Sequence, residues 1–115
     1  MVIPQIPIPT ARRLACFAQG LLRPPSQLAT MADVKNTIFN LGMLQIDTIN
    51  VVARAPFFAL FSRLGDYEIS WVNQLLEERQ IFEYWAHAAC FLPIEDYPLH
   101  RRLMLERFRH PNYHH

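Results

Sequence analysis

The chain has 115 residues, of which 51% are apolar and 18% charged, and its formal net charge is +1. This composition predicts one globular domain with a modest core and excludes a disordered tail. No apolar run reaches membrane-spanning length, and the proline-interrupted N-terminus lacks the basic start of a signal peptide. Two cysteines are too few for a disulfide framework or a zinc site, so we expect a reduced, cytoplasmic protein.

A first helix is predicted after a proline-rich lead that covers residues 1–9. Thr10 suits the N-cap position, and the helix should run over roughly residues 11–21. Its apolar stripe has helical spacing and is expected to face the core: Leu14, Phe17, Ala18 and Leu21.

A second helix is predicted to begin after Thr30, with Asp33 placed as in a capping box, and to end at Gly42. Its buried stripe should consist of Val34, Ile38 and Leu41. A run rich in β-branched residues follows, which predicts a strand over residues 45–52.

A third helix is predicted near residues 56–64, with Pro56 in its first turn and Gly65 after its end. A fourth helix should cover residues 67–79 and present its apolar residues to the core: Ile69, Val72, Leu75 and Leu76.

A β-hairpin is predicted over residues 81–92, because polar and apolar residues alternate loosely there. A last helix near residues 96–109 has an apolar side that needs a cover (Leu99, Leu103, Met104 and Phe108). Its other face is basic (Arg101, Arg102, Arg107 and Arg109).

The order of these elements predicts a mainly α fold with a small β component, a winged helix-turn-helix with an additional helix before its hairpin. The winged-helix domain should span residues 10–109. Residues 110–115 are expected to be a C-terminal tail at a truncation point, because the last helix has no capping signal and an uncovered side.

Gln45 and Asp47 are the most informative residues of the predicted strand. Side chains two positions apart share one face of a strand, so an amide and a carboxylate would converge and could hold a water or stabilise positive charge. On spacing alone, the alternative is stronger: Asp47 caps a helix or pairs with Arg54, and Gln45 bonds the backbone.

Three strings extend the argument beyond this spacing. Residues 44–54 read Leu-Gln-Ile-Asp-Thr-Ile-Asn-Val-Val-Ala-Arg, residues 60–65 read Leu-Phe-Ser-Arg-Leu-Gly, and residues 83–93 read Glu-Tyr-Trp-Ala-His-Ala-Ala-Cys-Phe-Leu-Pro. In this order and spacing they resemble the N-terminal region of the bacterial YcaQ/AlkZ family of DNA glycosylases, which repair alkylated bases and interstrand crosslinks. The resemblance extends from about residue 10 to residue 108.

The resemblance implies several tandem winged-helix domains, of which this chain is the first, and a Gln-apolar-Asp catalytic signature. It makes Gln45 and Asp47 the catalytic pair, with Ile46 as the spacer. It also implies hydrolysis of the N-glycosidic bond of N7-alkylated guanine, including in crosslinks. The expected partner is alkylated or crosslinked double-stranded DNA, bound by a monomer without membrane, cofactor or metal. Because several domains bind DNA in that family, this fragment alone could be inactive.

Three further residues are candidates for DNA contact: Arg54, Arg63 and His87. The two arginines flank the third helix, where winged-helix proteins approach DNA, although ordinary solvated arginine explains them about equally well. A histidine can bind phosphate or donate a proton, but a structural role in the hairpin is the stronger interpretation. The hairpin aromatics Phe82, Tyr84 and Trp85 could stack on bases, yet a place in the core is favoured for them.

Two alternatives remain. The chain could be a non-catalytic winged-helix regulator of transcription, or an interaction module without a DNA role. Ten of the eleven basic residues are arginine, which suits phosphate contacts and equally suits a genome that prefers arginine codons. Lys35 is the only lysine, so a lyase reaction through a Schiff base is less expected than simple hydrolysis.

Overall fold

The structure, a computed structural model, describes residues 5–22, 24–25, 27–46 and 55–109, and only the backbone of Ala55. Its elements in chain order are α1 (Ile8–Ala18), α2 (Met31–Leu41), β1 (Leu44–Gln45), α3 (Ala55–Leu64), α4 (Ser70–Glu77), β2 (Ile81–Trp85), β3 (Ala89–Pro93) and α5 (Tyr97–Arg109). A single 3₁₀ turn, Ile94–Asp96, leads into α5. None of the helices in these ranges is long and apolar enough to cross a membrane.

The predicted mainly α, winged-helix-like fold is confirmed. The described strands form one antiparallel sheet in the order β1-β3-β2. The sequence α2-β1-α3-α4-hairpin is the winged-helix order of helix, strand, two helices and wing. The additional helix is therefore α1 at the N-terminus and not, as predicted, a helix before the hairpin. As a consequence, α4 takes the position of the recognition helix, which the prediction gave to α3.

Helix α2 begins and ends as predicted. The Thr30 hydroxyl accepts from the Asp33 backbone N–H, and the Thr30 backbone N–H donates to the Asp33 carboxylate at 2.8 Å. The Thr30 hydroxyl also donates to this carboxylate, and its bond, followed by the backbone bond, lowers the pKa of Asp33. Gly42 ends the helix in the left-handed region at φ 75°, where a side chain would be strained.

The core lies between α2, α3, α4 and one face of the sheet. The buried side chains that form it are Val34, Ile38, Leu44, Leu60, Val72, Leu75 and Ile81. The predicted stripe of α4 is right at Val72 and Leu75 and wrong at Ile69, which lies just before α4 and is 51% exposed. Burial of these aliphatic groups is the main source of stability for a domain of this size.

The β2–β3 hairpin pairs Ile81 with Pro93 at its base and Trp85 with Ala89 at its tip. Directly opposed residues of an antiparallel sheet project to the same face. Gln45 and Tyr84 both pair with Cys90, so these three residues share the face turned away from the helical core. Helix α5 lies on this face, since the Tyr97 ring meets Phe82 edge-on at 5.3 Å and the His100 ring lies 4.9 Å from that of Tyr84.

Helices α1 and α5 keep their apolar sides exposed. Helix α1 begins at Ile8 after Pro7, not after Thr10, and the predicted stripe is not buried: Leu14 is 54% and Phe17 69% exposed. In α5, Phe108 is 85% exposed, in agreement with the expectation that this side lacks a cover.

Candidate functional site

Gln45 lies at the end of β1, on an edge of the sheet. Its backbone pairs with Cys90, and the next amide, that of Ile46, donates to the carbonyl of Ala89 at 2.7 Å. The ladder thus continues past Gln45 and fixes its backbone. Its side chain is exposed on the face shared with Cys90, where a substrate can reach the amide.

The hairpin turn brings His87 to Gln45 across 42 residues of sequence. His87 occupies the centre of the Ala86-His87-Ala88 turn, which the Ala86 N–H closes by donating to the Ala88 carbonyl at 3.0 Å. From there the ring nitrogen Nε2 lies 3.4 Å from the Gln45 Oε1. The structure therefore brings together two of the five predicted site residues.

This contact leaves most of the amide free for chemistry. With a proton on Nε2, His87 donates to one lone pair of the Gln45 oxygen. This bond does not involve the second lone pair or the amide N–H groups, and the side chain is exposed to solvent. A side chain held at one end and open at the other can orient a water or a polar substrate group.

Asp47 and Arg54 lie outside the described residues, so their assigned roles stay predictions. Of the remaining predicted residues, Arg63 lies on α3, and its guanidinium bonds the carbonyls of Gln19 and Ala59, each at 2.7 Å. It lines a groove of about 420 Å³ between α1, α2 and α3. Gln45 and His87 do not line this groove, and the intramolecular bonds of Arg63 explain its placement without DNA.

The basic residues of α5 are partly engaged as well. Arg107 donates to the Tyr84 hydroxyl at 3.3 Å, which brings a cation to the sheet face that carries Gln45. Arg102 pairs with Glu106 at 3.0 Å, but both side chains are exposed and the pair contributes little. Among the described residues, no group of three or more His, Cys, Asp or Glu side chains is placed to hold a metal ion.

Trp85 is exposed at the surface, and its predicted place in the core is wrong. The indole is 68% exposed at the last position of β2, whereas Phe82 and Tyr84 are half-buried under α5. The signal that could have shown this is the length of the hairpin. A turn at residues 86–88 puts Trp85 at the tip, beyond the reach of the core.

The exposed surface of α4 differs from that of a typical DNA-reading helix. Its exposed side chains are Ser70, Asn73, Gln74 and Glu77, followed by Glu78 and preceded by Glu68. The exposed Arg79 follows directly and is the one cation of this stretch. DNA phosphates attract cations and repel carboxylates, so this surface is poorly suited to enter a groove.

The fold and the sheet edge together define a winged-helix-like protein that has an exposed amide beside its wing and lacks a basic surface on α4, the helix at the recognition position. The family described as DNA glycosylase AlkZ-like matches residues 38–115. The chain belongs to this family, whose members are DNA-repair glycosylases, hydrolases that act on DNA. The match begins within α2 and includes β1 and all later elements. No solved structure matches the chain.

Proposed function

We propose that this chain hydrolyses the N-glycosidic bond of N7-alkylated guanine in DNA, including guanine joined in interstrand crosslinks. Gln45 and Asp47 form its catalytic pair. The observation that carries the proposal is the exposed amide of Gln45, held beside His87 at the sheet edge of a chain that belongs to the AlkZ-like family.

The chemistry requires few groups. An N7-alkylated purine carries a positive charge and is already a good leaving group, so strong protonation of the base is not required. Asp47 would stabilise the oxocarbenium-like sugar that forms and accept a proton from the attacking water. Gln45 would orient this water through its amide.

The proposal requires Asp47 to act on the same point as Gln45. Residues two positions apart share a face in an extended backbone, which is the arrangement this requirement needs. The bond from the Ile46 N–H to the Ala89 carbonyl supports it, because β1 pairing continues into the residue between them.

Hydrolysis without strand cleavage is the proposed reaction type. A lyase that works through a Schiff base needs an amine nucleophile. Lys35 is the one lysine, and its ammonium donates to the Gln80 side chain at 2.6 Å and lies 5.2 Å from the centre of the Phe39 ring. It is on α2 and engaged there, which argues against a role beside Gln45.

The acidic surface of α4 supports an enzyme over a regulator. A regulator would read DNA with the helix at the recognition position, and there Glu77 and Glu78 are exposed. A glycosylase can instead approach the lesion with its wing and sheet edge. The proposed partner is alkylated double-stranded DNA, bound by a monomer that acts in the cytoplasm at the nucleoid.

The test measures release of N7-methylguanine from alkylated duplex DNA by the wild-type chain, Gln45→Ala and Asp47→Asn. We expect release by the wild type and a loss of about 100-fold or more for Asp47→Asn, the usual scale for general acid-base groups. Two matched controls remove the same chemistry elsewhere: Gln74→Ala on α4 and Asp66→Asn after α3, both at exposed positions. Neither control should change the rate.

Two results contradict the proposal. If the wild-type chain binds alkylated duplex but releases no base, its function is not glycosidic hydrolysis. If base is released and Asp47→Asn keeps the full rate, the activity stands and the assigned catalytic pair is wrong.

A further inference from the structure

The tip of the hairpin carries an exposed indole. Trp85 is 68% exposed, and its cross-strand partner is Ala89, whose methyl group cannot cover it. The turn that follows adds only Ala86, His87 and Ala88. An indole left in water forgoes the large stabilisation that burial of an aromatic side chain supplies. The part of the fold that the structure describes therefore gives no packing reason for tryptophan here.

Trp85 and Gln45 lie at the same end of the sheet but on opposite faces. The Ile46 N–H donates to the Ala89 carbonyl at 2.7 Å, and Ala89 pairs with Trp85 on its other side. This row is one residue beyond the row of Gln45 and Cys90, and neighbouring rows project to opposite faces. The indole is therefore not part of the Gln45–His87 contact.

The chemistry of the tip favours an uncharged, flat ligand. From Tyr84 to Leu92 the sequence contains no carboxylate and no lysine or arginine. The nearest carboxylate along the hairpin sequence is that of Glu83, two residues before Trp85 on the same face of the strand. A tip made of the Trp85 indole, three alanines and the His87 imidazole is thin enough to enter a groove, and it offers a π surface without lysine or arginine.

We propose that Trp85 stacks on a nucleobase of bound DNA, on the opposite side of the sheet from Gln45. The inference rests on the proposed function for the nature of the ligand, since a DNA glycosylase family supplies a nucleobase as the flat partner. Base–aromatic stacking tolerates any base, and apolar wedges at kinked steps are a common device of DNA-binding proteins. The stack would hold the duplex at the wing while the other sheet face acts on the lesion.

The test uses the fluorescence of Trp85 in the 115-residue chain. The sequence has two tryptophans, and Trp71 is partly buried against the core, so Trp71→Phe leaves Trp85 as the single indole. Its emission should be quenched by a duplex that contains an abasic-site analogue, which leaves an opening in the stack. Inorganic polyphosphate, which has the charge but no bases, should not quench it.

Affinity for the same unalkylated duplex separates stacking from a general effect of the substitution. Trp85→Ala should bind about 5- to 150-fold more weakly, the range for loss of one aromatic–base stack, and Trp85→Phe should recover most of the affinity. Phe17→Ala on α1 is the matched control, because Phe17 is 69% exposed, and it should bind like the wild type. Thermal unfolding should show that all variants are folded.

Unchanged affinity of folded Trp85→Ala, or equal quenching by polyphosphate, would overturn the inference and leave the proposed function untouched. The opposite outcome is also distinguishable. If the duplex quenches Trp85 and Trp85→Ala binds more weakly, but the chain releases no base, the inference is supported and the proposed function fails.

Discussion

The contact between His87 and Gln45 should be measurable as a coupling in the rate of base release. The perturbation is a double-mutant cycle of His87→Ala, Gln45→Ala and the double variant. If the imidazole acts only by positioning the amide, its removal matters only while the amide is present. His87→Ala should therefore slow base release by the wild-type protein and leave the rate of base release by the Gln45→Ala variant unchanged.

The expected coupling is small, and the geometry sets its size. The Nε2–Oε1 distance of 3.4 Å is long for a hydrogen bond, and both side chains are exposed. Such a bond belongs at the low end of the net range, about 0.5 kcal/mol, which corresponds to about a twofold change in rate. His87→Gln retains an N–H donor and should recover part of this loss.

The assay is single-turnover release of N7-methylguanine at saturating protein, so that binding does not enter the rate. Equal fold effects of His87→Ala in both backgrounds would refute the positioning role. A loss of about 100-fold for His87→Ala alone would also refute it, because this magnitude is typical of a group that transfers a proton itself.

Three further predictions concern the fold beneath the site. Ile38→Ala should lower the free energy of unfolding by about 2–5 kcal/mol in urea titrations, because Ile38 is fully buried in the core. A decrease in this free energy of less than about 1 kcal/mol would mean that the surrounding core side chains move in to fill the cavity. Thr30→Ala should cost about 1 kcal/mol at neutral pH through loss of the capping box. The bonds to Thr30 lower the pKa of Asp33, so the stabilisation that they supply is complete above the ordinary carboxyl pKa of 3.8 and is lost as the pH falls through the lower pKa of the folded state. If the difference in unfolding free energy between Thr30→Ala and the wild type stays constant down to pH about 2, this explanation is wrong. With a thiol reagent at neutral pH, exposed Cys16 should react fast and Cys90 slowly, because Cys90 is buried and burial raises the pKa of its thiol. The variant Cys16→Ser leaves Cys90 as the one thiol to be measured. Fast reaction of that variant would show that the sheet opens readily.

Local chemistry explains which parts of the fold could be predicted. The capping box of Thr30 and Asp33 and the left-handed stop at Gly42 depend on residues within a few positions of each other, and both are confirmed. The α1 stripe shows the opposite case: helical spacing correctly predicts an amphipathic helix, but burial needs a partner surface, and Leu14 and Phe17 remain exposed. Periodicity specifies a face and not what covers it.

The candidate site was predictable only in part for the same reason. The sequence motif identifies Gln45, but its contact with His87, 42 residues away, requires β1 to pair with β3. The hairpin turn contains Ala, His and Ala, without the glycine, proline or asparagine that usually marks a turn. Turn composition therefore does not locate the tip, and only the length of the predicted hairpin indicates that Trp85 lies near it.

The distribution of charge around the wing suggests how this domain would use a winged-helix frame differently from a regulator. The helix at the recognition position, α4, carries exposed Glu77 and is followed by exposed Glu78, whereas the end of the sheet near the wing tip presents an uncharged amide at Gln45 and an indole at Trp85. A regulator that recognises a DNA sequence needs a helix that can lie in a groove against the phosphates.

An enzyme that removes a base already marked by its positive charge needs little sequence readout. It needs a thin element that reaches the sugar and a group that orients water there. On this view, the carboxylates at the end of α4 cost the enzyme little. Neutralising them (Glu77→Gln with Glu78→Gln) should strengthen binding to undamaged duplex and leave single-turnover base release unchanged, as salt-dependent affinity and rate measurements would show. Faster release in that variant would instead mean that α4 does approach the DNA during catalysis.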